Sequence, residues 1–219
     1  WKQEGLRVHT KTHKRKRLGS PENGRQRLKA EHINHVWSYD FVWDETEDGR
    51  RLKWLPALDE YTRECLILEV DYSITAQTVI EVLDRLVQER GAPQFIRSDN
   101  GPEFIAKAVK AWLAQSGIKT LYIEPGSPWE NAYIESFNSR LRDEFLNLEI
   151  FANRMEAKVL GQEYREKYNH RRPHSSLGNL PPAEFAARCL APLQPFDFVE
   201  AACAPQDSVI NPKHQPNLS

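Results

Sequence analysis

The sequence predicts an α/β protein built on a mixed five-stranded sheet flanked by helices. Three observations carry that expectation: an apolar period of two in three early segments, alternating helix-like and strand-like stretches after residue 75, and Gly or Pro at the boundaries. VWSYDFVWDE (36–45) has aromatics at Trp37, Tyr39, Phe41 and Trp43 and reads as a strand. DGR (48–50) supplies a hairpin turn, and RLKWLPALDE (51–60) and RECLILEVD (63–71) complete an antiparallel meander. A helix over 75–90 places Val79, Val82, Leu83, Leu86 and Val87 on one face and stops at Gly91. PQFIRSD (93–99) is a short buried strand. PEFIAKAVKAWLAQSG (102–117) is a helix opened by proline and closed by glycine, and IKTLYIE (118–124) is a further strand.

GSPWENAYIESFNSRLRDEF (126–145) is the next helix, its start specified by Ser127, Pro128 and Glu130. At about 100° per residue, Ile134, Phe137, Leu141, Phe145 and Leu148 form an apolar face. Asn131, Glu135, Asn138 and Arg142 fall within roughly 60° of arc beside it. Three strands followed by helix–strand–helix–strand–helix is the ribonuclease H-like order. Another helix runs from Asn153 to about Tyr168, followed by the turn-rich basic segment NHRRPHSSLGNLPPAEF (169–185). The expected organisation is a basic arm or linker (1–32), a sheet-and-helix core (33–152), a C-terminal helix with its basic segment (153–188), and an extended or disordered tail (189–219).

Composition narrows the class. With 219 residues, 40% hydrophobic and 28% charged, the chain is a soluble globular protein rather than a membrane-spanning one. Cys65, Cys189 and Cys203 form no CxxC pair, which argues against a disulfide framework or zinc knuckle and for a reducing cytoplasm. A chain opening on Trp1 reads as a segment of a longer product. The net charge of −1 hides an asymmetry, because residues 1–30 hold ten Lys/Arg against two Glu. In KTHKRKR, Lys14, Arg15, Lys16 and Arg17 suit either a solvated tail or an arm that releases counterions from DNA, and charge alone leaves both open.

Asp40 lies mid-strand among large aromatics, where an ionised carboxylate is costly unless it is paired or binds metal. Asp99 ends a buried strand just before a helix, a common position for ligand-binding groups. With Glu135 they make an all-oxygen donor set, suited to Mg²⁺ or Mn²⁺ rather than zinc.

The words around these acids are more specific than the acids themselves. WSYDF, IRSDNGPEF, a gap of 35 residues between Asp99 and Glu135, and NAYIESFNSRLRDE resemble the DDE transposases of bacterial insertion-sequence family three. Those are second-reading-frame products with a catalytic core similar to retroviral integrase. DGRRLKWLPALDEYTRECL and YNHRRPHSSLGNLPPAEF extend the resemblance to approximately residues 1–188. It implies that Asp40, Asp99 and Glu135 are the metal-binding catalytic carboxylates, and that Asn100, Asn131 and Arg142 position the site or contact DNA. It further implies DNA ends and target as partners, a homo-oligomer on DNA, no membrane, and action at the nucleoid in the bacterial cytoplasm.

Arg171 and Arg172 suit a DNA-contacting patch or a turn docked on the core, and Trp129 a base-stacking or helix-stapling role. Pro173 interrupts any helix between His170 and His174, which excludes them as an i,i+4 metal pair. Two other functions stay open: a truncated or inactive DNA-binding relic, and a ribonuclease H-like nuclease acting on RNA–DNA hybrids.

Overall fold

The computed structural model describes residues 28–98, 101, 106–123 and 131–191. Six strands form one mixed sheet: β1 (Val36–Tyr39), β2 (Val42–Glu45), β3 (Arg51–Asp59), β4 (Cys65–Asp71), β5 (Phe95–Ser98) and β6 (Lys119–Tyr122). β3 lies between β4 and the β1/β2 pair; β5 and β6 extend the sheet beyond β1, each parallel to its neighbour. The single strand expected over 36–45 is therefore broken at Asp40 and Phe41.

The break has an identifiable cause. Trp37–Tyr39 and Val42–Glu45 pair with β3 in one continuous register, Tyr39 opposite Ala57 and Val42 opposite Trp54, so Asp40 falls opposite Pro56. Along β3 the backbone groups alternate in direction. Glu60 N–H donates to Val36 O on the β1 side, and Asp59 N–H to Glu64 O on the other. Position 56 therefore faces Asp40, where proline has no N–H to donate. The sheet is five strands wide, as the sequence predicts, with its first strand cut in two.

Helices cover both faces. On one side α1 (Ala76–Arg90) and α2 (Lys107–Gln115) bury Val79, Val82, Leu83, Leu86, Val109 and Leu113 against Trp37, Tyr39, Leu55 and Ile96. α1 begins at a Thr75–Thr78 capping box and ends at Gly91, whose φ of 83° a side-chain-bearing residue rarely adopts. The proline expected to open α2 lies outside the described residues.

On the other side α3 (Ala132–Leu141) and α4 (Arg154–Arg171) share one core with β3 and β4. Trp54 is its hub, fully buried, with Phe145 and Phe151 ring centroids at 5.8 and 5.7 Å. The expected apolar face of α3 holds for Ile134, Phe137, Leu141 and Phe145, all buried, but Leu148 is 70% exposed. Residues Arg142–Leu146 wind as a π-turn, and this wider turn brings Leu146 into the core instead. α5 (Pro182–Leu190), opened by Pro182, follows a turn in which Gly178 and Asn179 are left-handed; it was not anticipated from the turn-rich reading of 169–185. Among the described residues no helix is long and apolar enough to cross a membrane.

Gly161 on α4 faces Trp54 so closely that an added Cβ would sit 2.6 Å from the indole ring. Gly161→Ala should therefore destabilise the fold by about 1–3 kcal/mol in urea unfolding, against the usual helix-stabilising sign of that substitution.

Candidate active site

Asp40 stands at the break in the first strand. Side chains at even positions of β1 and β2 point toward α3, as Val42 does in the α3-facing core. Asp40 Oδ1 accepts from Phe41 N–H at 2.7 Å, and Oδ2 accepts from Asn138 Nδ2 at 3.1 Å. That second bond joins the sheet to the polar stripe of α3. Glu135 lies one turn earlier on the helix, exposed, and its carboxylate has no protein partner among the described residues. Asn138 was visible in the stripe, but its role as the tether appears only once the strands are in register.

Beside Asp40, β2 and α3 enclose an open groove of about 330 Å³ lined by Phe41, Val42, Trp43, Asn138, Ser139 and Arg142. Trp43 is half exposed on its rim. Arg142, in the π-turn, donates to the Trp43 carbonyl at 2.7 Å. Burial raises the Asp44 carboxyl above its usual range, and the positive charge of Arg142 partly opposes that rise. On the far face of the break the buried Lys53 ammonium lies 3.7 Å from the Phe41 ring centroid.

Arg97, two residues before Asp99, is almost fully buried. It donates to Glu60 Oε1 at 2.9 Å and to the Leu28 carbonyl at 2.8 Å, tying β5 to the last residues of the basic arm or linker. Asn131 is buried at the N-cap of α3 without capping it, and among the described residues its Oδ1 has no hydrogen-bond partner. Asp99 and Asn100 lie outside the described residues, as do Lys14, Arg15, Lys16 and Arg17 of the arm and residues 127–130 with the expected capping box and Trp129. Among the described residues no three His, Cys, Asp or Glu side chains form a metal-binding group.

Two models of the integrase core domain match the chain, over residues 30–128 and 116–182. The chain is 45% identical over 178 residues to the insertion element IS476 39.2 kDa protein of Xanthomonas euvesicatoria, covering 81% of this chain and 51% of that protein. It is 40% identical over 188 residues to the insertion element IS407 31.7 kDa protein of Burkholderia multivorans, covering 86% of this chain and 67% of the relative. The chain belongs to the integrase core family. It thus spans about half the length of the first relative and two thirds of the second. A transposase for insertion element IS904 of Lactococcus lactis is 28% identical, with 83% of this chain and 74% of that protein covered.

The integrase core fold is shared with a simian T-cell lymphotropic virus intasome (TM-score 0.62, 15% identity, 77% of this chain and 58% of that chain). It is shared also with the HTLV-2 integrase catalytic core domain solved in complex with magnesium (TM-score 0.56, 14% identity, 71% and 97%).

In this integrase core the YNHRRPH segment docks on the body of the protein. Tyr168 is buried, and Asn169 both accepts from Cys65 N–H at 2.8 Å and donates to Cys65 O at 2.9 Å. Arg172 forks onto Glu144 through Nε and Nη2 and holds that carboxyl below its ordinary range. Arg171 is exposed.

His174 is buried, edge-on to Tyr168 at 5.2 Å. Burial, with the charges of Arg172, Arg140 and Arg63, lowers it to about 4, while Glu144 opposes the shift. A histidine depressed in the fold takes up protons more readily when unfolded, so stability falls as pH drops from 6.5 toward 4. Between about pH 7.5 and pH 5 this amounts to roughly 2 kcal/mol. Urea unfolding of His174→Phe should lack that loss. Glu144 is depressed as well, so its own contribution to stability is lost in the same direction, as pH falls toward and below the ordinary carboxylate range.

Proposed function

We propose that this chain is the catalytic part of a DNA transposase, cleaving DNA at the ends of an insertion element and joining the freed 3′-hydroxyl to another phosphodiester. The observation that carries the reading is the Asn138–Asp40 bond, which brings the Glu135 stripe of α3 to the interrupted strand of an integrase core. Asp99 enters through the resemblance carried by IRSDNGPEF, in which it is the residue after β5 in the sequence, and β5 itself runs parallel to β1. The transposase name of the IS904 relative supports the same reading.

Asp40, Asp99 and Glu135 would hold Mg²⁺ or Mn²⁺, two ions per site. The fit rests on the donors: carboxylate oxygens suit these hard ions, and the Glu135 carboxylate is exposed and uncommitted. The magnesium in the HTLV-2 core structure supports it. Bound there, such ions supply positive charge at the scissile phosphate and lower the pKa of the attacking water or 3′-hydroxyl. Asn138 orients Asp40 from behind, as ligand-supporting groups do. Asn100, Asn131 and Arg142 position the site or contact DNA. Lys14, Arg15, Lys16, Arg17, Arg171 and Arg172 contribute positive charge toward DNA backbone, Arg172 while paired with Glu144. The active assembly is a homo-oligomer on DNA, working at the nucleoid.

Asp40→Asn, Asp99→Asn and Glu135→Gln should each reduce Mg²⁺-dependent nicking of a labelled element-end duplex to background while retaining its binding in a mobility shift. Nicking by any of the three removes that residue from the set, and preferential cutting of an RNA–DNA hybrid reassigns the enzyme as a ribonuclease. Asn138→Leu should raise the Mn²⁺ concentration for half-maximal nicking by roughly 10–100-fold with little change in thermal midpoint. An unchanged Mn²⁺ requirement would reduce the tether to a packing contact.

A further inference from the structure

Helix α3 has a second polar flank. Arg140 lies about 140° around the helix from Glu135, on the stripe that also carries Tyr133. Between the two flanks the exposed positions are Ala132, Ser136 and Ser139, all small. Arg63, in the turn between β3 and β4, reaches this second flank, with its guanidinium 3.6 Å from the Tyr133 ring centroid. Its φ of 62° is a left-handed conformation uncommon for a long side chain, and such strain tends to be kept where a site requires it.

Both guanidiniums lie close enough to Tyr168 and His174 to act on their titration, so they share one neighbourhood. Arg63 donates to the Glu60 carbonyl, and Arg140 to Ser136 O and Oγ. Among the described residues neither forms an ion pair with a carboxylate. Arg172 beside them is engaged by Glu144 in an ion pair. Two partly exposed cations without a close ion-pair partner among the described residues thus share the second flank of α3, across the helix from Glu135, although the Glu144 carboxylate lies near enough to act on Arg140.

We infer that Arg63 and Arg140 form a clamp for the phosphate backbone of duplex DNA. The duplex lies across the small-residue ridge of α3, with the carboxylates at one edge and the clamp at the other. Small side chains at 132, 136 and 139 let a sugar–phosphate strand approach the helix closely. The guanidinium of Arg63, held over the Tyr133 ring, meets a phosphate with little ordering left to lose. The clamp rests on the transposase reading and assigns it a DNA path.

The test is the salt dependence of binding to a labelled duplex of about 30 base pairs between roughly 50 and 200 mM salt. Arg140→Ala and Arg63→Asn, the latter chosen because Asn tolerates the left-handed backbone, should each weaken binding roughly tenfold near 0.1 M salt. Each should flatten the log–log slope by about 0.9, and the pair by about 1.8. Arg140→Lys should keep the slope. Arg188→Ala, which removes a cation paired with Glu184 on α5, should leave affinity and slope unchanged. Wild-type slope in Arg140→Ala, or an equal loss in Arg188→Ala, overturns the clamp while nicking by the wild type leaves the transposase reading standing. Should Arg63→Asn fail to fold, the two Arg140 variants decide. A wild type that neither binds nor nicks duplex overturns both.

Discussion

A backbone donor that does not exist shapes the centre of this molecule. β3 is buried on both faces and paired along both edges, yet it carries Pro56 where the ladder calls for an N–H toward Asp40. In an otherwise continuous sheet an ionised side chain would be hard to accommodate. At the interruption, Asp40 is only half-buried, receives the Phe41 N–H and Asn138 amide, and stands beside an open groove. The local loss of one ladder bond is accompanied by these contacts, and the strand opens there onto the groove.

Winding of the α3 segment carries the second half of the site. An α-helix continued through 142–146 would keep its 100° step and direct Leu148 inward. The π-turn instead buries Phe145 and Leu146 together around Trp54 and leaves Arg142 against the Trp43 carbonyl. Packing under the helix and polar contacts above it are thus set by the same few residues. The Arg172–Glu144 fork fixes the π-turn to the C-terminal segment, so α4 belongs mechanically to the site although it supplies no acid to it.

Much of this was legible in the sequence, and the misses have physical reasons. Alternation of Trp37, Tyr39, Phe41 and Trp43 exposed the strand and its charged intruder, because side-chain parity survives the break. The break itself was hidden, since it depends on which residue of β3 lies opposite Asp40 and on which way that backbone points. The apolar period of α3 located Ile134, Phe137, Leu141 and Phe145, but a fixed angular step cannot register a π-turn, which is why Leu148 was misplaced. YNHRRPH left the role of Arg172 open between DNA and docking because its partner, Glu144, is 28 residues away in the chain. α5 was missed although Pro182 and Glu184 mark a helix start, because the preceding Gly and Asn read as continuing loop.

The double bond of Asn169 to both backbone groups of Cys65 has a practical consequence. β4 is an outer strand, and an amide side chain there imitates one residue of a neighbouring strand, with Tyr168 filling the space behind it. Proteins guard such open rims because another polypeptide can add to them. A shortened version ending before α4 would uncover this rim together with the apolar surface around Trp54. It should self-associate through strand addition rather than remain monodisperse.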